Sequence, residues 1–103
     1  MKHMVDLLRK ERFETITKFS EIGCNICHGK IVHIEERSNS SFIVTFKRDG
    51  DLNTTKMMKL FGKFIEFFPA FYTPTHFKPQ PRITIDKIKG KEQFLMQFEW
   101  STT

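Results

Sequence analysis

The chain has no long apolar run, no dense block of like charge and almost no cysteine. A membrane-spanning helix needs about 20 mostly apolar residues, so a membrane is not an expected partner. The opening MKHMVDLLRKER lacks the apolar centre of an export signal, and a cytoplasmic location is expected. In that setting Cys24 and Cys27 read as reduced thiols rather than a disulfide framework. The 17 Lys and Arg exceed the 12 Asp and Glu, for a net charge of +5, but the excess is spread thinly. A dedicated DNA-binding arm would show a block of Lys and Arg. The charge therefore permits a polyanion partner without demanding one. There is also no glycine-rich phosphate loop, no GxSxG elbow and no HExxH. The histidines His3, His28, His33 and His76 form no catalytic pattern. Glu35 and Glu36 are sequence neighbours, which on a strand point to opposite faces. A non-enzyme without a cofactor is expected.

What the chain does have is aromatic mass. Of 103 residues, 12 are Phe, and each fully buried Phe contributes roughly 1.5–3 kcal/mol. That is enough to close one core over residues 1–103 without metal or disulfide.

The strongest local signal is Thr54–Phe68. Met57, Phe61, Phe64, Ile65 and Phe68 share one helical face, and Lys56, Lys59 and Lys63 lie opposite. Asn53 or Thr54 can cap the first turn, and Pro69 is expected to stop the helix. Gly62 within it would allow close approach of another backbone. The lysines read either as a track along a phosphate backbone or as the solvated back of the helix.

Residues 3–22 read as one helix ended by Gly23 in a left-handed cap. A strand at Phe13–Phe19 is the alternative, because Phe13, Thr15, Thr17 and Phe19 also alternate. Cys24–Gly29 is expected to be an irregular link. A hairpin follows, with Val32 and Ile34 on one face of its first strand and Phe42, Val44 and Phe46 on one face of its second. Residues 69–82 hold all four prolines and form an extended connecting arm. A second hairpin pairs Ile83–Ile88 with Gln93–Trp100 around Lys89-Gly90-Lys91. The order α-β-β-α-β-β predicts a single α+β domain, an antiparallel sheet with helices on one face. The αββ order occurs twice, which raises a duplicated unit with pseudo-two-fold symmetry.

Cys24-Asn25-Ile26-Cys27-His28 spells the CxxCH of c-type haem attachment. The absence of an export signal and the predicted hairpins argue against it. A zinc site on Cys24, Cys27 and His28, His33 or His76 would lack a second cysteine knuckle. The favoured reading is two small packing residues, with no metal.

Basic and aromatic residues interleave in the proline arm and the turn after it. Tyr72, His76 and Phe77 are candidates to stack bases, and Lys78, Arg82, Lys87, Lys89 and Lys91 to meet phosphates. Arg37, Lys47 and Arg48 form a second basic patch on the first hairpin. The order of elements and the basic hairpin turns resemble small winged or double-winged regulatory modules of phage transcription factors. No residue role follows from that likeness. The expected function is a small regulatory nucleic-acid-binding module. The alternative is a phage-like protein-binding modulator or homodimer that uses a free Phe94–Trp100 strand edge, with Phe98 and Trp100 at the interface.

Overall fold

The computed structural model describes residues 2–75 and 78–101. Helix α1 (Lys2–Cys27) leads into strands β1 (Gly29–Ser38) and β2 (Ser41–Arg48). Helix α2 (Thr54–Phe64), a 3-10 turn (Ile65–Phe67) and a short helix α3 (Phe68–Phe71) follow. Strands β3 (Arg82–Lys87) and β4 (Gln93–Glu99) close the chain. The strands form one antiparallel sheet in the order β1-β2-β4-β3, so β2 and β4 are central. The helices cover one face of it, as the α-β-β-α-β-β order predicts. No helix among the described residues is long and apolar enough to cross a membrane.

Helix α1 is helical through Phe13–Phe19 and beyond. Arg12, Ile16, Phe19, Ser20, Gly23 and Cys27 are buried, a stripe at three- and four-residue steps that only a helix aligns. Gly23 does not end the helix. A Cβ there would sit 2.8 Å from Phe61 Cε1 and 3.0 Å from Phe64 Cε2, so the glycine is where α2 crosses α1. The residue that ends α1 is His28, with φ 58°. Histidine is among the residues that tolerate the left-handed region better than most. The expected link at Cys24–Gly29 is thus the last helical turn followed directly by β1.

Asn53 rather than Thr54 caps α2, its Oδ1 accepting the Lys56 N–H at 2.8 Å. The inner face is Met57, Phe61 and Phe64, all buried, continued by Phe68 in α3. Pro69 does not stop the helical run. Its place in the first turn of α3 needs no donor from it. Gly62 is exposed, with nothing within 4 Å of a Cβ built on it, so the close approach expected there belongs to Gly23 instead.

In β2 and β4 the alternation holds: Phe42, Val44, Phe46, Phe94, Met96 and Phe98 are buried against the helices. In β1 it does not. The pairing skips Val32 between Ile31 and His33, so Ile31 and Ile34 face the core and Val32 is 46% exposed. One extra residue in a bulge shifts every side chain after it.

The registers of the two hairpins correspond. Ile31 opposite Phe46, Ile34 opposite Val44 and Glu36 opposite Phe42 match Ile83 opposite Phe98, Ile85 opposite Met96 and Lys87 opposite Phe94. The central β2–β4 pairing maps onto itself under the same exchange, with Phe42 opposite Phe98 and Phe46 opposite Phe94. The pairing registers of the four strands are therefore related by a pseudo-two-fold axis at the Val44–Met96 pair. The helices do not follow it, α1 having 26 residues and α2 11.

The two glycines separate packing from propensity. Gly23→Ala forces a methyl group against two core rings and is expected to destabilise by about 1–3 kcal/mol. Gly62→Ala adds a methyl in open space and is expected to stabilise by about 0.5–1 kcal/mol. Urea unfolding of the two variants checks both signs.

Candidate nucleic-acid interface

The pseudo-two-fold axis gives the sheet two ends, and the chemistry of the two differs. One end holds the first hairpin tip, the end of β4 and the proline arm. The other holds the start of β1, the end of β2 and the β3–β4 tip.

The first end is knotted shut. Trp100 is 2% exposed. Its backbone N–H donates to Ser40 O at 2.8 Å and its indole N–H to Pro79 O at 3.0 Å. The Arg12 guanidinium lies 4.7 Å from the centre of its ring and donates to Asn39 O at 2.9 Å. Tyr72 is 1% exposed and packs at 5.4 Å against Trp100, while Gln80 donates to its carbonyl. Lys78 is ion-paired with Glu11 and stands 4.8 Å over the Tyr72 ring.

These contacts correct the reading of the arm. Tyr72 has no free face on which a base could stack, and Lys78 already holds a carboxylate and a ring. Arg82 is exposed but lies opposite Glu99 in the β3–β4 ladder. Arg37 sits near this end with Glu35 at 3.4 Å, an exposed pair. His76 and Phe77 lie outside the described residues. The interface expected at Phe98 and Trp100 is corrected too. β4 is paired on both sides, by β2 and β3, and both side chains are buried in the core. The outer strands of the sheet are β1 and β3.

The second end gathers cations from four separate stretches. Lys30 lies directly opposite Lys47, and Gly29 opposite Arg48. Lys47 is in turn opposite Gln93, which places the end of β2 beside the β3–β4 tip. That tip is a tight turn. Ile88 N–H donates to Gln93 O at 3.0 Å, Lys91 N–H to Ile88 O at 3.2 Å, and Gly90 takes φ 78°. Lys87 Nζ donates to Lys91 O at 2.9 Å. Lys30, Lys47, Arg48, Lys87, Lys89 and Lys91 are all exposed.

Among the described residues, no carboxylate forms an ion pair with any of these six. The nearby acid Glu92 is held by α2 instead, accepting the Thr54 hydroxyl at 2.7 Å. That hydrogen bond, and then the charges of Lys87 and Arg48, lower the Glu92 pKa. Like charges directly opposite on neighbouring strands destabilise a sheet, so the Lys30–Lys47 pair is unfavourable for the sheet itself.

Of the expected phosphate contacts, the structure groups Lys87, Lys89 and Lys91 with Lys47 and Arg48, and separates them from Lys78 and Arg82. Lys30 was not among the candidates. Its pairing was not available in the hairpin itself: counting back from Ser38 opposite Ser41 sets Lys30 against Asp49, and two register shifts bring it opposite Lys47.

The CxxCH residues lie at the end of α1, where it meets β1. Cys24 and Cys27 are free thiols in the last turn of α1, Cys27 buried in the core and Cys24 packed beside it. Burial first, then the negative charge of Cys27, Asp49 and Glu21, pushes the Cys24 thiol up to about 12. Burial pushes Cys27 up to about 11. A thiol this far above neutrality is a poor nucleophile at neutral pH. No family model, curated protein or solved structure matches the chain.

The thiols set an alkaline limit. Their ordinary value is 9.0, so unfolded thiols ionise before folded ones. Their contribution to stability is fully present below that value and is lost as pH rises towards 11–12. Urea midpoints are expected to fall above pH 9 in the native chain and to fall less in Cys24→Ser. An equal fall in both would show that other groups set the limit.

Proposed function

We propose that this chain is a small non-enzymatic module that binds nucleic acid, in a regulatory role, through the basic end of its sheet. Lys30, Lys47, Arg48, Lys89 and Lys91 meet phosphates, and Lys87 braces the tip that carries two of them.

The observation that carries this reading is the difference between the two halves. The strand registers correspond, so the strand residues of the basic end have counterparts at the other. Lys47 and Arg48 correspond to Glu99 and Trp100, and Lys87 corresponds to Glu36. The tip at 88–93 carries Lys89 and Lys91 beside Glu92, and its counterpart at 37–41 carries Arg37. Lys30 corresponds to Arg82, a cation at both ends, whereas Lys47, Arg48 and Lys87 have no cationic counterpart, so the fold does not require those three. Clustered, unpaired cations on a projecting hairpin suit an anionic backbone.

The binding is electrostatic at its root, so it releases counterions. Five phosphate contacts predict an affinity that falls with salt at a log–log slope of about −4 to −5 on duplex DNA. Lys89→Gln/Lys91→Gln is expected to reduce the slope by about 2 and weaken binding about tenfold near physiological salt. Lys78→Gln/Arg82→Gln is expected to change affinity by less than about twofold. Fluorescence anisotropy with a labelled oligonucleotide across a salt series reads all three. Salt-independent binding, or equal loss in the two double variants, would contradict the proposal.

A further inference from the structure

Helix α2 has a second surface outside the basic end, and Leu60 on it also packs against the core. Its outward face carries Lys56, Lys59, Leu60 and Lys63 at helical spacings of three, four and seven. Leu52, from the loop before the helix, packs beside them. Together the five line a shallow groove of about 270 Å³. Its floor is two half-buried leucines and its walls are lysine stems. Among the described residues, none of the three lysines is in an ion pair. The nearest acids in sequence, Asp51 and Glu66, do not line the groove.

We propose that this groove docks an acidic amphipathic segment of a partner protein. The groove offers an apolar floor under a row of ammonium groups. Its complement has an apolar ridge with carboxylates along its flanks. Lys56 to Lys63 is two helical turns, about 10.5 Å, which matches Glu or Asp residues spaced over two turns of a partner helix. Apolar residues of the partner helix meet Leu52 and Leu60, and its carboxylates meet the lysines.

A nucleic acid fits this groove poorly. No aromatic ring lines it to stack a base, and leucines gain nothing from a phosphate. A lipid bilayer fits poorly too. Insertion needs projecting apolar side chains, and Leu52 and Leu60 are half-buried. The groove is also independent of the proposed nucleic-acid site, because none of its five lining residues belongs to that set.

The test uses the full chain and two fluorescein-labelled helical peptides of equal charge. One carries Leu along a face flanked by Glu, and the other replaces each Leu with Ser. The expected result is saturable binding of the Leu peptide, at least about tenfold tighter than the Ser peptide. Leu52→Ser/Leu60→Ser and Lys59→Gln/Lys63→Gln are each expected to weaken it by about tenfold or more. Lys59 and Lys63 are exposed, while Leu52 and Leu60 are half-buried and Leu60 packs against the core. Urea midpoints therefore check that each variant folds, and the lysine variant carries the test if the leucine variant is destabilised. A duplex oligonucleotide is expected to bind the Leu52/Leu60 variant as it binds the native chain, which separates this inference from the nucleic-acid reading. Equal binding of the two peptides would overturn the proposal, as would no saturable binding below about 1 mM. Co-sedimentation with phosphatidylserine vesicles that depends on Leu60, without peptide binding, would assign the groove to a membrane surface instead.

Discussion

Everything else in the molecule depends on how closely α2 crosses α1. The missing side chain at Gly23 lets the Phe61 and Phe64 rings sit against the α1 backbone. Phe19, one turn earlier, then stacks on Phe64 at 4.5 Å. It also meets Phe68, Phe71 and Phe98 edge-on at 5.0–6.1 Å. Such pairs add about 0.5–1.5 kcal/mol each beyond the area they bury. A glycine inside a helix costs about 1 kcal/mol in propensity, and this aromatic layer offsets it. The layer fixes both helices over the central strands and leaves the edge strands and the strand ends to carry charge.

The two hairpins correspond in register where they share the core and differ where they reach solvent. At one end the aromatic and cationic groups are spent on structure. Arg12 lies on Trp100, Lys78 on Tyr72 and Glu11, and Pro79 accepts the indole N–H. At the other end Lys30, Lys47, Arg48, Lys89 and Lys91 form no ion pair among the described residues, and Lys87 holds the Lys91 carbonyl. The Thr54–Glu92 hydrogen bond fixes the nearby carboxylate at the first turn of α2, where the charges of Lys87 and Arg48 still reach it. The tight turn around Gly90 carries Lys89 and Lys91.

Much of this was legible in the sequence, for reasons that can be named. The inward faces of β2 and β4 follow a strict period of two, so the one-sided pattern of Phe42 to Phe46 and Phe94 to Phe98 reads directly. The amphipathic stretch from Met57 to Phe68 reads equally well, down to the capping role open to Asn53. Gly23 misleads because a glycine after an apolar stripe ordinarily ends a helix, and only the ring it accommodates, nearly forty residues on, says otherwise. Val32 misleads because a bulge has no local signature. The candidate site was legible residue by residue but not as a site. Lys47 and Arg48 stand far in sequence from Lys87 to Lys91, and only the central pairing of β2 with β4 joins them. The same pairing buries Phe98 and removes the strand edge that the aromatic pattern suggested. Tyr72 and Trp100 looked like free aromatics because nothing in a proline-rich stretch reveals which way its rings turn.

The account's central claim is that one end of a pseudo-symmetric sheet meets the partner and the other does not. Backbone amide shifts, followed as an oligonucleotide is titrated into isotope-labelled protein, test it residue by residue. The account predicts that the shifts concentrate at Lys30, Lys47, Arg48 and Lys87–Lys91. It also predicts that Arg37–Ser40 and Lys78–Arg82 stay near their free positions. Shifts centred on the arm and the first hairpin tip, with the Lys89-Gly90-Lys91 turn unmoved, would contradict it.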